Sequence, residues 1–215
     1  MDLESLDATF VIDTFLLLLI GVGPKIALVP FLEITEGMPK DTKRRVLRKM
    51  LITAATVAVL LLLLGGLLTR LLHFSPGSLG IASGIILLII AVTMVLGQPD
   101  RNGGSRPAAD KDPMQLAVFP LAVPYLLNPA GIVVLVTDSA EAASVSVLAV
   151  VVGILVAILA LDVVVFRWAA QISKHLDASR MLVTEKVFGF LLAALAVQLA
   201  LNGLSDLGVI HLTGH

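Results

Sequence analysis

The feature that most constrains this chain is a series of six apolar stretches, each about as long as the 20 residues that an α-helix needs to cross a bilayer. Hydrophobic residues make up 58% of the 215 residues and charged residues 14%, whereas a soluble domain carries about 25% charged residues. The sequence therefore predicts an all-α polytopic membrane protein with six transmembrane helices. The predicted spans are 8–33, 48–72, 78–97, 115–137, 143–166 and 187–204.

The basic residues are distributed unevenly between the two sides of these spans. Six Lys or Arg residues lie in 35–49, three in 98–114 and four in 167–186, whereas Arg70 lies between spans on the opposite side. Because basic residues collect on the cytoplasmic side, we predict that both termini lie outside. The expected location is a prokaryotic cytoplasmic (inner) membrane. The net charge of −1 and the absence of cysteine argue against a nucleic-acid partner, structural disulfides and thiolate metal sites.

The two halves of the sequence resemble each other at an offset of 105 residues. Gly23-Pro24 aligns with Asn128-Pro129, and Gly84 aligns with Gly189. Each half has three spans, an odd number, so the second half enters the membrane from the opposite face. We therefore predict two inverted three-helix repeats, 1–97 and 115–215, joined by a cytoplasmic loop at 98–114; many secondary transporters share this plan. A chance match between Leu-, Ala- and Val-rich helices is the alternative.

Proline and glycine interrupt the first and fourth predicted spans. Pro24 and Pro129 each lie nine residues before an acidic residue, a helical distance of about 13 Å, which predicts breaks near the bilayer midplane. Half-helix ends at such breaks can bind a carboxylate, and freed carbonyls can bind an ammonium or a metal cation. Simple kinks are the alternative. The predicted substrate-binding residues here are Gly23, Pro24, Lys25, Asn128, Pro129 and Gly131.

Further polar residues within the spans extend this candidate site. Lys25 either snorkels toward the headgroups or pairs with Asp162, which should lie at a similar depth. Thr93 and Gln198 are equivalent under the offset of 105 and either form hydrogen bonds between helices, the favoured interpretation, or line a polar path. We include Asp162, Thr93 and Gln198 among the substrate-binding candidates, and we interpret Asp13 as an interfacial carboxylate.

The sequence carries no recognisable catalytic motif. It has no nucleophile elbow, phosphate-binding loop or His-Glu-x-x-His helix, and its four histidines lack ligand spacing. We therefore predict no enzyme, no catalytic residue, no metal site and no cofactor. Ser83-Gly84 and Gly189 are small enough to allow close contact between helices.

Several segments give the chain a resemblance to a known family. They are Pro30-Phe31-Leu32-Glu33-Ile34-Thr35, Lys43-Arg44-Arg45, Ala82-Ser83-Gly84-Ile85-Ile86-Leu87, the stretch from Phe119 to Gly131, and Leu201-Asn202-Gly203-Leu204. Over nearly its whole length the chain resembles the MarC family of integral membrane proteins, also described as a neutral amino acid transporter family. The resemblance implies a LysE-type fold and transport of small neutral amino acids such as alanine or glycine.

The departures from the family pattern fall where a substrate would bind. Gly23 stands where the family usually has Asp or Asn, Lys25 follows the first proline, and the second break reads Asn128-Pro129-Ala130-Gly131 in place of a Gly-Pro pattern. These departures bear on the substrate more than on the fold.

The expected function is secondary transport of a small solute, coupled to H⁺ or Na⁺. The expected partners are a small-molecule substrate and the lipid bilayer, and the question of a homo-oligomer stays open. One alternative is a cation or metal carrier that uses Asp13, Asp162 and backbone carbonyls. The other is a non-transporting membrane scaffold.

Overall fold

The computed structural model describes residues 8–96, 112–141, 145–172 and 178–210, and the described residues form helices and short connections. The predicted loop at 98–114 lies almost entirely outside them. The helices are α1 (Ala8–Gly21), α2 (Pro24–Ile34), α3 (Lys40–Leu72), α4 (Pro76–Leu96), α5 (Pro113–Leu116), α6 (Pro129–Glu141), α7 (Val145–Ile172) and α8 (Ala178–Asp206).

Within the described residues, five helical stretches are long and apolar enough to cross a membrane, and a sixth is present if a bent pair counts as one span. The five are Thr9–Ile34, Lys40–Leu72, Pro76–Leu96, Val145–Trp168 and Lys186–Asp206, and the bent pair is Pro113–Leu126 with Pro129–Ala140. The two parts of that pair meet at an angle of 69°. The all-helical fold is thus as predicted, with five spans or six.

An irregular helical segment, Ala117–Leu126, connects α5 to α6. Phe119 and Val123 adopt extended backbone angles inside it, with φ/ψ of −136°/124° and −133°/125°. Each is followed by a proline, and the residue before a proline is driven out of the helical region by contact with the ring. The sequence itself therefore breaks the regular hydrogen bonding before α6 begins.

The helix α3 begins earlier than the predicted span. Pro39 precedes it, and the helix starts at Lys40 and runs for 33 residues, whereas the prediction placed the span at 48–72. The basic segment is polar but has good helix formers, and Val46, Leu47 and Met50 are buried. The helix therefore continues through a segment that a hydropathy criterion assigns to a loop.

The core is divided between two groups of buried side chains. The larger joins α1, α2, α3, α6 and α7 with the irregular segment, and the smaller joins α4 and α8 to Ile26 of α2. Large apolar residues such as Leu67, Val156 and Phe190 are also exposed on the outer surface, as expected where lipid replaces water.

Small residues allow α4 and α8 to pack backbone against backbone. A Cβ added to Gly84 would lie 2.6 Å from the carbonyl oxygen of Ala196, and one added to Gly189 would lie 3.2 Å from that of Ala91. Ser83, beside Gly84, is buried as well. The close helix contact predicted from Ser83-Gly84 and Gly189 is confirmed.

Candidate functional site

The first interruption separates α1 from α2. α1 ends at Gly21 and α2 begins at Pro24, a residue suited to the first helical position because it has no N–H to satisfy there. Gly23 is extended, and a Cβ on it would overlap the carbonyl oxygen of Leu19. Among the described residues, no side chain caps the first turn of α2. This helix end therefore has no side-chain acceptor of its own.

The second interruption, by contrast, is capped by a side chain. The irregular segment ends at Leu126 and α6 begins at Pro129. The Oδ1 atom of Asn128 accepts hydrogen bonds from the N–H groups of Ala130 at 2.8 Å and Gly131 at 3.2 Å. Asn128 is fully buried and acts as a helix N-cap. The first N–H groups of α6 are therefore already bonded.

Asn128 also ties the second interruption to the end of α1. Its Nδ2 atom donates to the carbonyl oxygen of Ile20 at 2.7 Å, and its backbone N–H donates to that of Gly21 at 2.9 Å. The two chain segments touch directly, because a Cβ on Gly21 would lie 2.6 Å from the nitrogen of Gly131. The crossing of α1 and α6 is thus filled by backbone atoms and by Asn128.

A cavity of about 220 Å³ lies beside the first interruption, between α2 and α8. Among the described lining residues, Lys25 is the one that is ionisable, and it is exposed, as is Leu191. Lys25 is the second residue of α2, where the helix dipole is positive. The described residues that line the cavity are Ile20, Lys25, Ile26, Phe188, Leu191, Leu192 and Leu195. The cavity therefore combines apolar walls with one positively charged end.

Asp162 lies elsewhere, on the buried face of α7. Its side chain is fully buried, and neither carboxylate oxygen has a hydrogen-bond partner among the described residues. Lys25 is exposed on α2. The structure therefore does not form the predicted pair of Lys25 and Asp162, because a similar depth along two helices does not make their side chains face each other.

Thr93 and Gln198 form their hydrogen bonds within their own helices. The Thr93 hydroxyl donates to the carbonyl oxygen of Ile90 at 2.7 Å, and Gln198 Nε2 donates to Asn202 Oδ1 at 2.7 Å. Each bond lies within one helix, so the predicted hydrogen bonds between helices are wrong. Threonine commonly bonds back to its own helix, which competes with bonding to a neighbour. Asp13 is exposed, as its predicted interfacial position requires.

Sequence reasoning missed two parts of this region. Gly21 was not among the predicted site residues. A second glycine two residues before Gly23 was a local sign that another part of the chain packs closely against the backbone there. The α8 side chains Phe188, Leu191 and Leu195 also line the cavity. Their apolar character is shared by every span, so no local signal distinguished them.

The helix lengths and the exposed apolar surface define this chain as a multi-pass integral membrane protein. A family model described as "MarC family integral membrane protein" matches residues 8–207. The chain belongs to the MarC family.

Curated relatives come from archaea and bacteria. A UPF0056 membrane protein of Methanocaldococcus jannaschii is 26% identical, covering 85% of this chain and 90% of the relative. One from Archaeoglobus fulgidus is 27% identical over 92% and 93% of the two chains, and YvbG of Bacillus subtilis is 27% identical over 93% and 96%. No solved structure matches the chain.

Proposed function

We propose that this protein is a secondary transporter of small neutral amino acids, of the alanine and glycine class, in a prokaryotic cytoplasmic membrane. We take the bent pair that ends in α6 as one span, which gives six spans arranged as two inverted three-helix repeats. The excess of basic residues in 35–49, 98–114 and 167–186 then favours both termini outside. The interruptions after Gly21 and Leu126 are the proposed breaks near the midplane.

The packing of helices supports the inverted repeat. Gly84 lies against Ala196, and Gly189 lies against Ala91. The offset of 105 relates Gly84 to Gly189 and Ala91 to Ala196, so it converts each of these contacts into the other. An interface around a two-fold axis has this property. The same offset relates α1 to the irregular segment and α2 to α6. It therefore converts the contact of α1 with α6 into the contact of α2 with the irregular segment.

The observation that carries the proposal is the placement of Lys25. Lys25, in the first turn of α2, lines the cavity, and α2 has no side-chain cap at its N-cap residue Gly23. A lysine ammonium and a helix N-terminus both favour an anionic group. A lysine in the first turn of a helix is unfavourable by itself, because cations are stabilised at the opposite end. A solute carboxylate at this position would relieve that repulsion.

The rest of the cavity suits the remainder of a small amino acid. Its other lining residues are apolar, and its volume of about 220 Å³ is below the roughly 300–1,000 Å³ of sites for drug-sized ligands. In the proposed complex the carboxylate meets Lys25 and the N–H groups of α2, and a small side chain meets Ile26 and Leu192. Backbone carbonyls at the interruption are the proposed acceptors for the ammonium group.

The test is exchange of labelled alanine and glycine by purified protein in liposomes, comparing the native chain with Lys25→Gln. Losing a hydrogen bond to a charged group should raise the half-saturating concentration about tenfold or more. Lys40→Gln is the matched control, because Lys40 is also exposed and lies at the start of α3.

Three results would contradict parts of the proposal. If Lys25→Gln exchanged the amino acids as the native protein does, the solute would not bind in this cavity. If Lys40→Gln lost as much exchange activity as Lys25→Gln, the effect would come from the surface charge of the protein and not from the cavity. Failure of the folded native protein to exchange either amino acid, loaded from either side, would reject this substrate class.

A further inference from the structure

A carboxyl group is buried in α7 without a partner. Asp162 has no exposed surface, and both of its oxygens lack a hydrogen-bond partner among the described residues. It lies on the inner stripe of the helix with Leu155, Ile158 and Phe166, which are also fully or almost fully buried. A carboxyl group in such a stripe costs stability compared with an apolar residue, so a function is needed to explain it.

Among the residues that the structure describes, no charged group bonds to either oxygen of Asp162. α7 packs on α1, α2, α3 and α6, and one turn beyond Asp162 the Phe166 ring meets Phe31 of α2 edge to face at 5.2 Å. None of the ionisable residues on those helices bonds to Asp162 in the described part of the chain. These residues are Asp13 on α1, Lys25 and Glu33 on α2, Lys40, Asp41, Lys43, Arg44, Arg45, Arg48, Lys49 and Arg70 on α3, and Asp138 on α6.

The surroundings of Asp162 distinguish a proton from a metal cation. Hard metal cations need several oxygen ligands at one place, and in transporters unwound carbonyls commonly provide them for Na⁺. Neither Asp162 oxygen has a hydrogen-bond partner among the described residues, and those residues contain no group of three or more acidic or histidine side chains that could hold a metal ion. A metal ion at Asp162 would therefore lack further carboxylate or imidazole ligands from this part of the chain. A proton needs no ligand beyond the oxygen that binds it, and it removes the buried charge.

We propose that Asp162 binds and releases the proton whose movement drives solute transport, an inference that rests on the transport function proposed above. In the described conformation the group is the neutral acid. α7 packs against α1 and α2, the helices whose interruption carries Lys25. A shift of α1 and α2 against α7 would bring Asp162 to water, where the acid dissociates to a carboxylate and one proton. One proton would then cross with each transport cycle.

The test uses Asp162→Asn, which imitates the permanently neutral acid with little change of volume. In liposomes that contain the variant, an imposed pH gradient should not increase the accumulation of labelled alanine or glycine above the level without a gradient. Exchange of labelled for unlabelled solute needs no net proton movement, so it should persist. Asp13→Asn, an exposed carboxylate on α1, is the control and should keep gradient-driven accumulation.

Two outcomes overturn the proton role while leaving transport intact. They are gradient-driven accumulation by Asp162→Asn, and native transport that does not respond to the pH gradient. Failure of the native protein to move either amino acid would reject the proposed function instead.

Chemical labelling tests the proton site without measuring transport. It applies if the native protein transports neither amino acid, and also if Asp162→Asn does not fold. A hydrophobic carbodiimide reacts with protonated, buried carboxyl groups, and mass spectrometry of the native protein should locate the adduct on Asp162 and not on Asp13. Reaction at Asp13 with none at Asp162 would overturn the proposal.

Discussion

The two interruptions align at the offset of 105 residues, yet the helix after the second has a side-chain cap and the helix after the first has none among the described residues. The offset of 105 places Gly23 opposite Asn128 and Lys25 opposite Ala130. In the second half, Asn128 bonds the first N–H groups of α6. In the first half, no described side chain caps α2, and a lysine stands beside a cavity.

The two interruptions therefore differ in the groups that they leave available for binding. The second interruption uses its helix end for internal bonding, so it has little left to offer a solute. The first has no described side-chain cap and adds the positive charge of Lys25, which is unfavourable at this end of a helix. Two positions that align at the offset of 105 therefore differ: one fixes the crossing of the helices, and the other is the proposed binding site.

The largest effect on stability is expected at the crossing itself. Gly131→Ala would place a Cβ among the backbone atoms of Gly21, and backbone cannot move aside as a side chain can. We expect a loss of about 3 kcal/mol in the free energy of unfolding. The matched control is Gly153→Ala on α7, where no described atom lies within 4 Å of the added Cβ. Thermal unfolding in detergent should separate the two variants, and equal stability would mean that the crossing is not closed.

A smaller loss is expected from removing the cap. Asn128→Ala loses the N-cap of α6, about 1 kcal/mol, and the hydrogen bond to the carbonyl oxygen of Ile20, about 1 kcal/mol more. Asn128→Ser keeps a capping oxygen but not the Nδ2 donor, so it should recover about half of the loss. The same unfolding measurement orders native, Ser and Ala variants. A serine variant as unstable as the alanine one would show that the tie to α1, rather than the cap, carries the stabilisation.

The helices were predictable from the sequence because their signals are local. Length and apolarity identify the spans, and Pro24 and Pro129 mark where α2 and α6 begin. Contacts between distant segments were not predictable in the same way. Gly21 meets Gly131 across more than half the chain, and depth alone wrongly paired Lys25 with Asp162, because it gives the height of a residue along a helix but not the direction of its side chain.

The smallest expected change has the opposite sign. Lys25 stands at the positive end of α2, whereas Lys186 donates to the carbonyl oxygens of Met94 and Val95 near the end of α4, where a cation is stabilising. Lys25→Gln should therefore stabilise the solute-free protein by about 0.5 kcal/mol at low ionic strength, whereas Lys186→Gln should destabilise it by about 1 kcal/mol. Added salt should shrink the gain from Lys25→Gln because it screens exposed charges. If Lys25→Gln instead lost stability, Lys25 would already have a partner within the protein, and the first interruption would be as closed as the second.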